Sequence, residues 1–330
     1  MNLESELKTA IEAVKKACRI CIKVQSSLVS EETITKKDKS PVTVADFGVQ
    51  AVICYELIKA FPGDPIVGEE DSAELRTEAG KPVSAKVLEY VNTELVDLSE
   101  EQVLKAIDSG NHSGGSAGRF WTIDPIDGTK GFLRGDQYAV ALALIENGQV
   151  VLGVLGCPNL PVDLNNPDAG NGCILSAIRG HGASTQLLDG ESGSGINVSE
   201  ITDPKYAPFC ESVESAHSSH GAAEQIARLL GVTAPPIRID SQCKYAVLAR
   251  GDASIYLRLP TRKDYEEKIW DHAAGAIVVE EAGGRVTDIY GIPLDFSQGR
   301  TLSQNKGVVG SNGKFHEEII AAVKEVLKDK

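Results

Sequence analysis

The stretch WTIDPIDGT at 121–129 runs an apolar, strand-like segment straight into two acids, Asp124 and Asp127, split by Pro125 and Ile126 and closed by Gly128 and Thr129. Asp-Gly is ordinarily a turn and Asp-Pro opens many loops. Two carboxylates at one strand end, however, repel each other unless a cation or a proton separates them. A fold built on this segment must therefore bring a counter-charge to it. Hard cations such as Mg²⁺ take carboxylate and carbonyl oxygens, so Asp124, Asp127 and the Ile126 carbonyl can form one ligand arc. Gly128 and Thr129 then offer a backbone N–H and a hydroxyl, which suit a phosphate oxygen.

A metal site needs more carboxylates, and the chain repeats the setting. Gly68-Glu69-Glu70-Asp71 follows a short strand-like pair, and Trp270-Asp271 opens a helical segment. Each has a plainer reading, since acidic triplets commonly end solvated loops and Asp271 alone would be a helix N-cap. Asp46, in Pro41-Val42-Thr43-Val44-Ala45-Asp46, shares that ambiguity.

Composition narrows the class. The 330 residues suffice for one large or two ordinary domains. Lys plus Arg is 33 against 47 Asp plus Glu, a formal charge of -14 that disfavours nucleic acid and anionic membrane as partners. The longest apolar runs, such as 139–145, are far short of the roughly 18 residues a spanning helix needs. The N-terminus carries Glu4 and Glu6 where a leader would be basic, and seven scattered cysteines do not make a disulfide framework. Both features read as a cytoplasmic protein.

Periodicity predicts a two-part α/β molecule. Leu7, Ile11, Val14, Cys18, Cys21 and Ile22 form the stripe of an amphipathic N-terminal helix. A redox Cys-x-x-Cys reading of Cys18 and Cys21 lacks a preceding strand, and a zinc site would need two more ligands. A second helix is expected over 45–60, a polar surface insertion over 72–118 with helical stretches at 87–95 and 100–107, strands over 120–123, 138–145, 150–157 and 173–178, and a polar stretch from there to about 200. Asn147-Gly148 is a hairpin signal. From about 206 short strands alternate with helices. The expected division is an α+β unit with an antiparallel sheet over 1–200 and an α/β unit over 201–330.

At these acidic places the sequence resembles the magnesium-dependent, lithium-sensitive phosphatase superfamily that includes inositol monophosphatase and fructose-1,6-bisphosphatase. The shared pattern is Gly-Glu-Glu, then Asp-Pro-Ile-Asp-Gly-Thr, then Trp-Asp-x-x-x-Gly, present here at 68–70, 124–129 and 270–275. Within it the segments DKSPVTVAD at 38–46, GCPNLP at 156–161, RIDSQCKY at 238–245 and IYLRLP at 255–260 are similar to the 3′(2′),5′-bisphosphate nucleotidases. The resemblance implies a layered αβαβα sandwich and hydrolysis of the 3′-phosphate of adenosine 3′,5′-bisphosphate, with 3′-phosphoadenylylsulfate as a further substrate. It implies two or three Mg²⁺ held by Glu69, Asp124, the Ile126 carbonyl, Asp127 and Asp271, with Asp46 and Thr129 positioning and deprotonating the attacking water. Gly128, Thr129, His217, Ser241, Lys244, Arg258 and Asp271 would contact the nucleotide, His217 lying against the adenine.

The residues agree with parts of this. Arg258 interrupts the strand-like run IYLRLP, where a buried or cleft-facing guanidinium demands an anion. An inositol phosphate phosphatase would share the metal site, and RIDSQCKY with IYLRLP argues against it. A haloacid-type aspartyl-phosphatase places its acids as Asp-x-Asp, one residue closer than here. The expected partner is a small nucleoside bisphosphate rather than nucleic acid or membrane, and the expected state a monomer or weak homodimer. Cys157 and Cys173 flank a loop between two strands, near enough in that arrangement for a regulatory disulfide or for inert packing.

Overall fold

The structure, a computed structural model, describes residues 2–30, 40–213, 220–260, 262 and 264–328. The N-terminal stripe becomes helix α1 (Glu4–Ser30), which buries Val14, Cys18 and Cys21, although Ile22 of that stripe is exposed. Helix α2 (Ser40–Ala60) begins five residues before the expected start. It is apolar on most sides because it is covered on most sides, by α1, by α3 (Lys81–Val91), by α4 (Glu100–Asp108) and by a sheet. The 72–118 segment is thus more than a surface insertion: Val87, Val91, Leu104 and Ile107 all join the core beneath α2.

That sheet takes its strands in chain order, from β1 (Ile66–Gly68) and β2 (Arg119–Asp127) through β3 (Ala139–Glu146), β4 (Gln149–Pro161) and β5 (Asn171–Ile178) to β6 (Ala183–Leu187) and β7 (Ser194–Ile196). The β1–β2 pair is parallel and every later pair antiparallel. Asn147 and Gly148 turn β3 into β4 with φ of 50° and 77°, the left-handed pair that a two-residue hairpin requires. The expected polar stretch after 178 is instead the outer edge of this sheet.

Strand β2 does not stop at Asp124. It continues to Asp127 across a bulge, where the pairing slips between Asp124↔Ala141 and Asp127↔Ala139. A bulge frees Pro125 from supplying a ladder N–H, and it turns both acids toward the sheet's end.

The second sheet has the order β11-β12-β10-β8-β9, built from β8 (Phe209–Glu211), β9 (Ile237–Arg238), β10 (Ile255–Arg258), β11 (Arg285–Thr287) and β12 (Val308–Ser311). Helices α7 (Cys243–Ala249) and α8 (Ala273–Glu281) lie between the two sheets and contact both. Their near-uniform apolar character follows, and one core runs from Leu155 and Leu175 through Val247 and Ile277 to Val286 and Val308. Helices α6 (His220–Leu229) and α9 (His316–Leu327) cover the far side, giving five layers in the order αβαβα. No described helix is long and apolar enough to cross a membrane.

Candidate active site

A cavity of about 620 Å³ opens where the end of β2 meets the start of α7. Its walls gather acids that lie far apart in sequence: Asp46 from α2, Glu69 after β1, Asp124 and Asp127 from β2, and Asp271 before α8. The Ile126, Gly128, Thr129, Ser241, Lys244 and Arg258 positions line the same cavity. His217 lies outside the described residues.

The carboxylates oppose one another electrostatically. Asp124 is buried, its Oδ1 has no hydrogen-bond partner, and burial together with Glu69, Asp127, Asp271 and Asp46 drives its carboxyl well above the usual range. Glu69 is exposed as a residue but lines the cavity, where loss of water around its carboxyl together with Glu70 and Asp127 pushes it up to about 7. Burial also raises Asp271 to about 7, against the pull of Arg258 and His272, and lifts Asp46 well above its ordinary value with help from Glu70 and Glu69. An unpartnered buried carboxylate oxygen among four like charges is the donor set a hard divalent cation fits. The residues therefore suit Mg²⁺.

Among the described residues the tightest group of possible metal donors is a different one, Glu267, Asp271 and His272, with donor atoms within 4.8 Å of one another. All three of its members are already engaged, Asp271 by Arg258 at 3.4 Å. His272 is bonded through Nδ1 to the Tyr245 hydroxyl at 2.8 Å and through Nε2 to Glu267 at 3.1 Å, and Glu267 also pairs with Arg258 at 2.8 Å. Charge and hydrogen bonding hold Glu267 down to about 2 despite its burial. We read this group as a buried polar network, with Asp271 as the member that faces the cavity.

The two sheets meet at this point through short links. The Gln242 amide donates to the Asp127 carboxylate, and Arg134 on α5 (Thr129–Arg134) pairs with Asp240. Gln242 is buried and spans further, donating to the Trp270 carbonyl at 2.9 Å and accepting from the Gly275 amide at 3.1 Å.

The cationic side of the cavity differs from expectation in one respect. Arg258 finds its anions within the chain, in Glu267 at 2.8 Å and Asp271 at 3.4 Å. Lys244 is buried and makes no ion pair among the described residues, with its ammonium 5.6 Å from the centre of the Tyr256 ring. Burial lowers its pKa. Sequence reasoning missed Thr43, Ser212, Asp240, Gln242, Tyr256 and Tyr265 in the lining. Thr43 was recoverable, because it sits three residues before Asp46 on one helix face.

Cys157 and Cys173 are register partners on β4 and β5, and both are buried free thiols.

The chain matches the inositol monophosphatase family over residues 2–328. It is 49% identical over 341 residues to a 3′(2′),5′-bisphosphate nucleotidase of Schizosaccharomyces pombe, covering 99% of this chain and 97% of that one. It is 48% identical over 347 residues to 3′(2′),5′-bisphosphate nucleotidase 1 of Arabidopsis thaliana, covering 100% and 98%. Among solved structures it resembles the Thermotoga maritima IMPase, with a TM-score of 0.63, 23% identity and 98% of each chain covered. Mycobacterium tuberculosis SuhB gives 0.63 at 20% identity, covering 97% of this chain and 96% of that one.

Proposed function

The chain belongs to the inositol monophosphatase family, and from that premise we propose that its cavity hydrolyses the 3′-phosphate of adenosine 3′,5′-bisphosphate to AMP and inorganic phosphate. 3′-Phosphoadenylylsulfate, which carries the same phosphate, is a second substrate in this reading. The observation that carries it is the cavity itself, acidic on one wall and holding on another the Lys244 ammonium, which makes no ion pair among the described residues. The relatives' printed activity points to the same chemistry.

The family is metal-dependent. Glu69, Asp124, the Ile126 carbonyl, Asp127 and Asp271 would hold two or three Mg²⁺. Metal bound there would lower the pKa of water and neutralise charge on the phosphoryl group and its leaving oxygen.

The chain's own groups divide the rest. Asp46 takes the proton of the attacking water through the Thr129 hydroxyl, both groups lining the same cavity. The Gly128 amide and the Thr129 hydroxyl orient the phosphoryl oxygens. Lys244 and Ser241 receive the 5′-phosphate, and Arg258, oriented by Glu267, bounds that subsite. His217 completes the base contacts. In this reading residues 1–200 supply most of the acids, and residues 201–330 supply the nucleotide contacts and Asp271.

The charge of -14 supports a small-molecule substrate rather than nucleic acid or an anionic membrane, the seven free thiols support a cytoplasmic enzyme, and a monomer or weak homodimer is the state proposed with them. The test is phosphate release from adenosine 3′,5′-bisphosphate, inositol 1-phosphate and inositol 1,4-bisphosphate, with Mg²⁺, with chelator and with Li⁺. The reading expects the nucleotide to be preferred, chelator to abolish release and Li⁺ to inhibit it. Preference for either inositol phosphate would replace it with an inositol phosphatase.

A further inference from the structure

Glu69 and Asp271 are 202 residues apart, and one side chain touches the residue immediately before each. Arg300 donates through one guanidinium nitrogen to the Gly68 carbonyl at 2.5 Å, immediately before Glu69. Through another it donates to the His112 carbonyl at 3.0 Å. The same guanidinium lies 4.8 Å over the ring of Trp270, immediately before Asp271. The backbone repeats the link: the Ile269 amide donates to the Arg300 carbonyl at 3.2 Å, the Leu302 amide donates to the Glu267 carbonyl at 2.8 Å, and Lys268 and Thr301 form an antiparallel bridge.

Neutral carbonyls and an aromatic face are unusual company for a partly buried arginine. Among the described residues Arg300 makes no ion pair, and Glu69 is the acid whose field it feels. Its planar fork fits this duty, because it can bond two carbonyls edge-on while stacking on an indole.

We propose that Arg300 is a positioning residue that sets the separation of Glu69 and Asp271, and through it the affinity of the cavity for divalent cations. The inference rests on the metal-dependent reading above. It assigns Arg300 no contact with substrate.

The test uses the full chain and Mn²⁺ as the probe, with binding followed by electron paramagnetic resonance in the absence of substrate. Partners that orient metal ligands typically govern roughly ten-fold or more in affinity, so Arg300→Met should weaken Mn²⁺ binding by about that factor. The half-saturating Mg²⁺ for turnover should rise in parallel, while KM for adenosine 3′,5′-bisphosphate at saturating Mg²⁺ stays unchanged. Arg300→Lys keeps the charge and loses the fork, so it should recover only part of the affinity, and it carries the test if Arg300→Met fails to fold. Unchanged Mn²⁺ affinity in either variant, or a fall in melting temperature without a change in affinity, would overturn the proposal. If the unsubstituted chain binds no Mn²⁺, the metal-dependent reading falls and takes this inference with it. Binding by the unsubstituted chain with no effect of substitution removes the role of Arg300 alone.

Discussion

A Cβ placed on Gly128 would lie 2.8 Å from the Cβ of Ser241, so the end of β2 and the approach to α7 touch where only hydrogen fits. Gly128 also holds φ at 91°, a left-handed conformation that costs a side chain about 1–2 kcal/mol. Gly128→Ala is expected to lower the melting temperature and to wedge the cavity walls apart. Because misplacement of reacting groups by about 1 Å can cost on the order of 100-fold in rate, kcat/KM should fall by at least ten-fold. Thermal denaturation and steady-state kinetics check both, and a fully active, equally stable variant would show that the contact does not set the cavity.

Asp124 has a buried oxygen with no partner and four acids around it. Asp124→Asn removes a charge the fold has no internal means to satisfy. In chelator the variant should therefore melt higher than the unsubstituted chain, while phosphate release falls to the background. A variant that is less stable in chelator, or that keeps more than a few per cent of turnover, would place the functional charge elsewhere.

Glu69 and Asp271 are both raised to about 7 without a cation. For a carboxyl raised in the fold, the stabilisation from its bound proton is complete below its unfolded value, about 4, and is lost as pH climbs through about 7. Divalent cation replaces that proton. The gain in melting temperature on adding Mg²⁺ should accordingly be small at pH 5.5 and large at pH 8. A gain independent of pH would mean that these carboxylates do not bind the ion.

Arg258 is the counter-ion of Glu267 and a neighbour of Asp271. Removing one partner of a buried pair strands the other, at a cost of about 3–5 kcal/mol, so Arg258→Ala should be markedly less stable. Arg258→Lys keeps the charge and is the variant in which to compare substrates. Its KM should rise more for adenosine 3′,5′-bisphosphate than for inositol 1-phosphate, and equal effects on the two would remove Arg258 from the 5′-phosphate subsite.

Asp124 and Asp127 were legible because an apolar run ends in them, where a charge has to be accounted for, whereas Glu69, Asp271 and Asp46 kept plainer readings until the family resemblance joined them. The switch from a strand-rich to an alternating α/β pattern was legible in the periodicity, while the five layers were implied only by the family resemblance. Other features were hidden by composition. Strands β6 and β7, ASTQL and SGI, carry no apolar alternation because they form a half-covered edge, and their pairing is set by β5 rather than by their own side chains. Helix α4 was legible, its expected span of 100–107 matching Glu100–Asp108, whereas α3 was expected at 87–95 and begins at Lys81, in a polar turn with few apolar residues to mark it. The guanidinium of Arg258 did demand an anion, but Glu267 and Asp271, nine and thirteen residues further along the chain, supply it. The bonds from Arg300 to Gly68 and His112 span roughly 190–230 positions, and no local pattern announces contacts of that kind.

The central claim is that distant, mutually repulsive acids converge to share a divalent cation. Its most direct measurement is an anomalous difference map from crystals grown with Mn²⁺. The account predicts peaks bonded to Glu69, Asp124, Asp127 and Asp271 inside the cavity. A peak held by Glu267 and His272 instead, or no peak at these carboxylates, would contradict it.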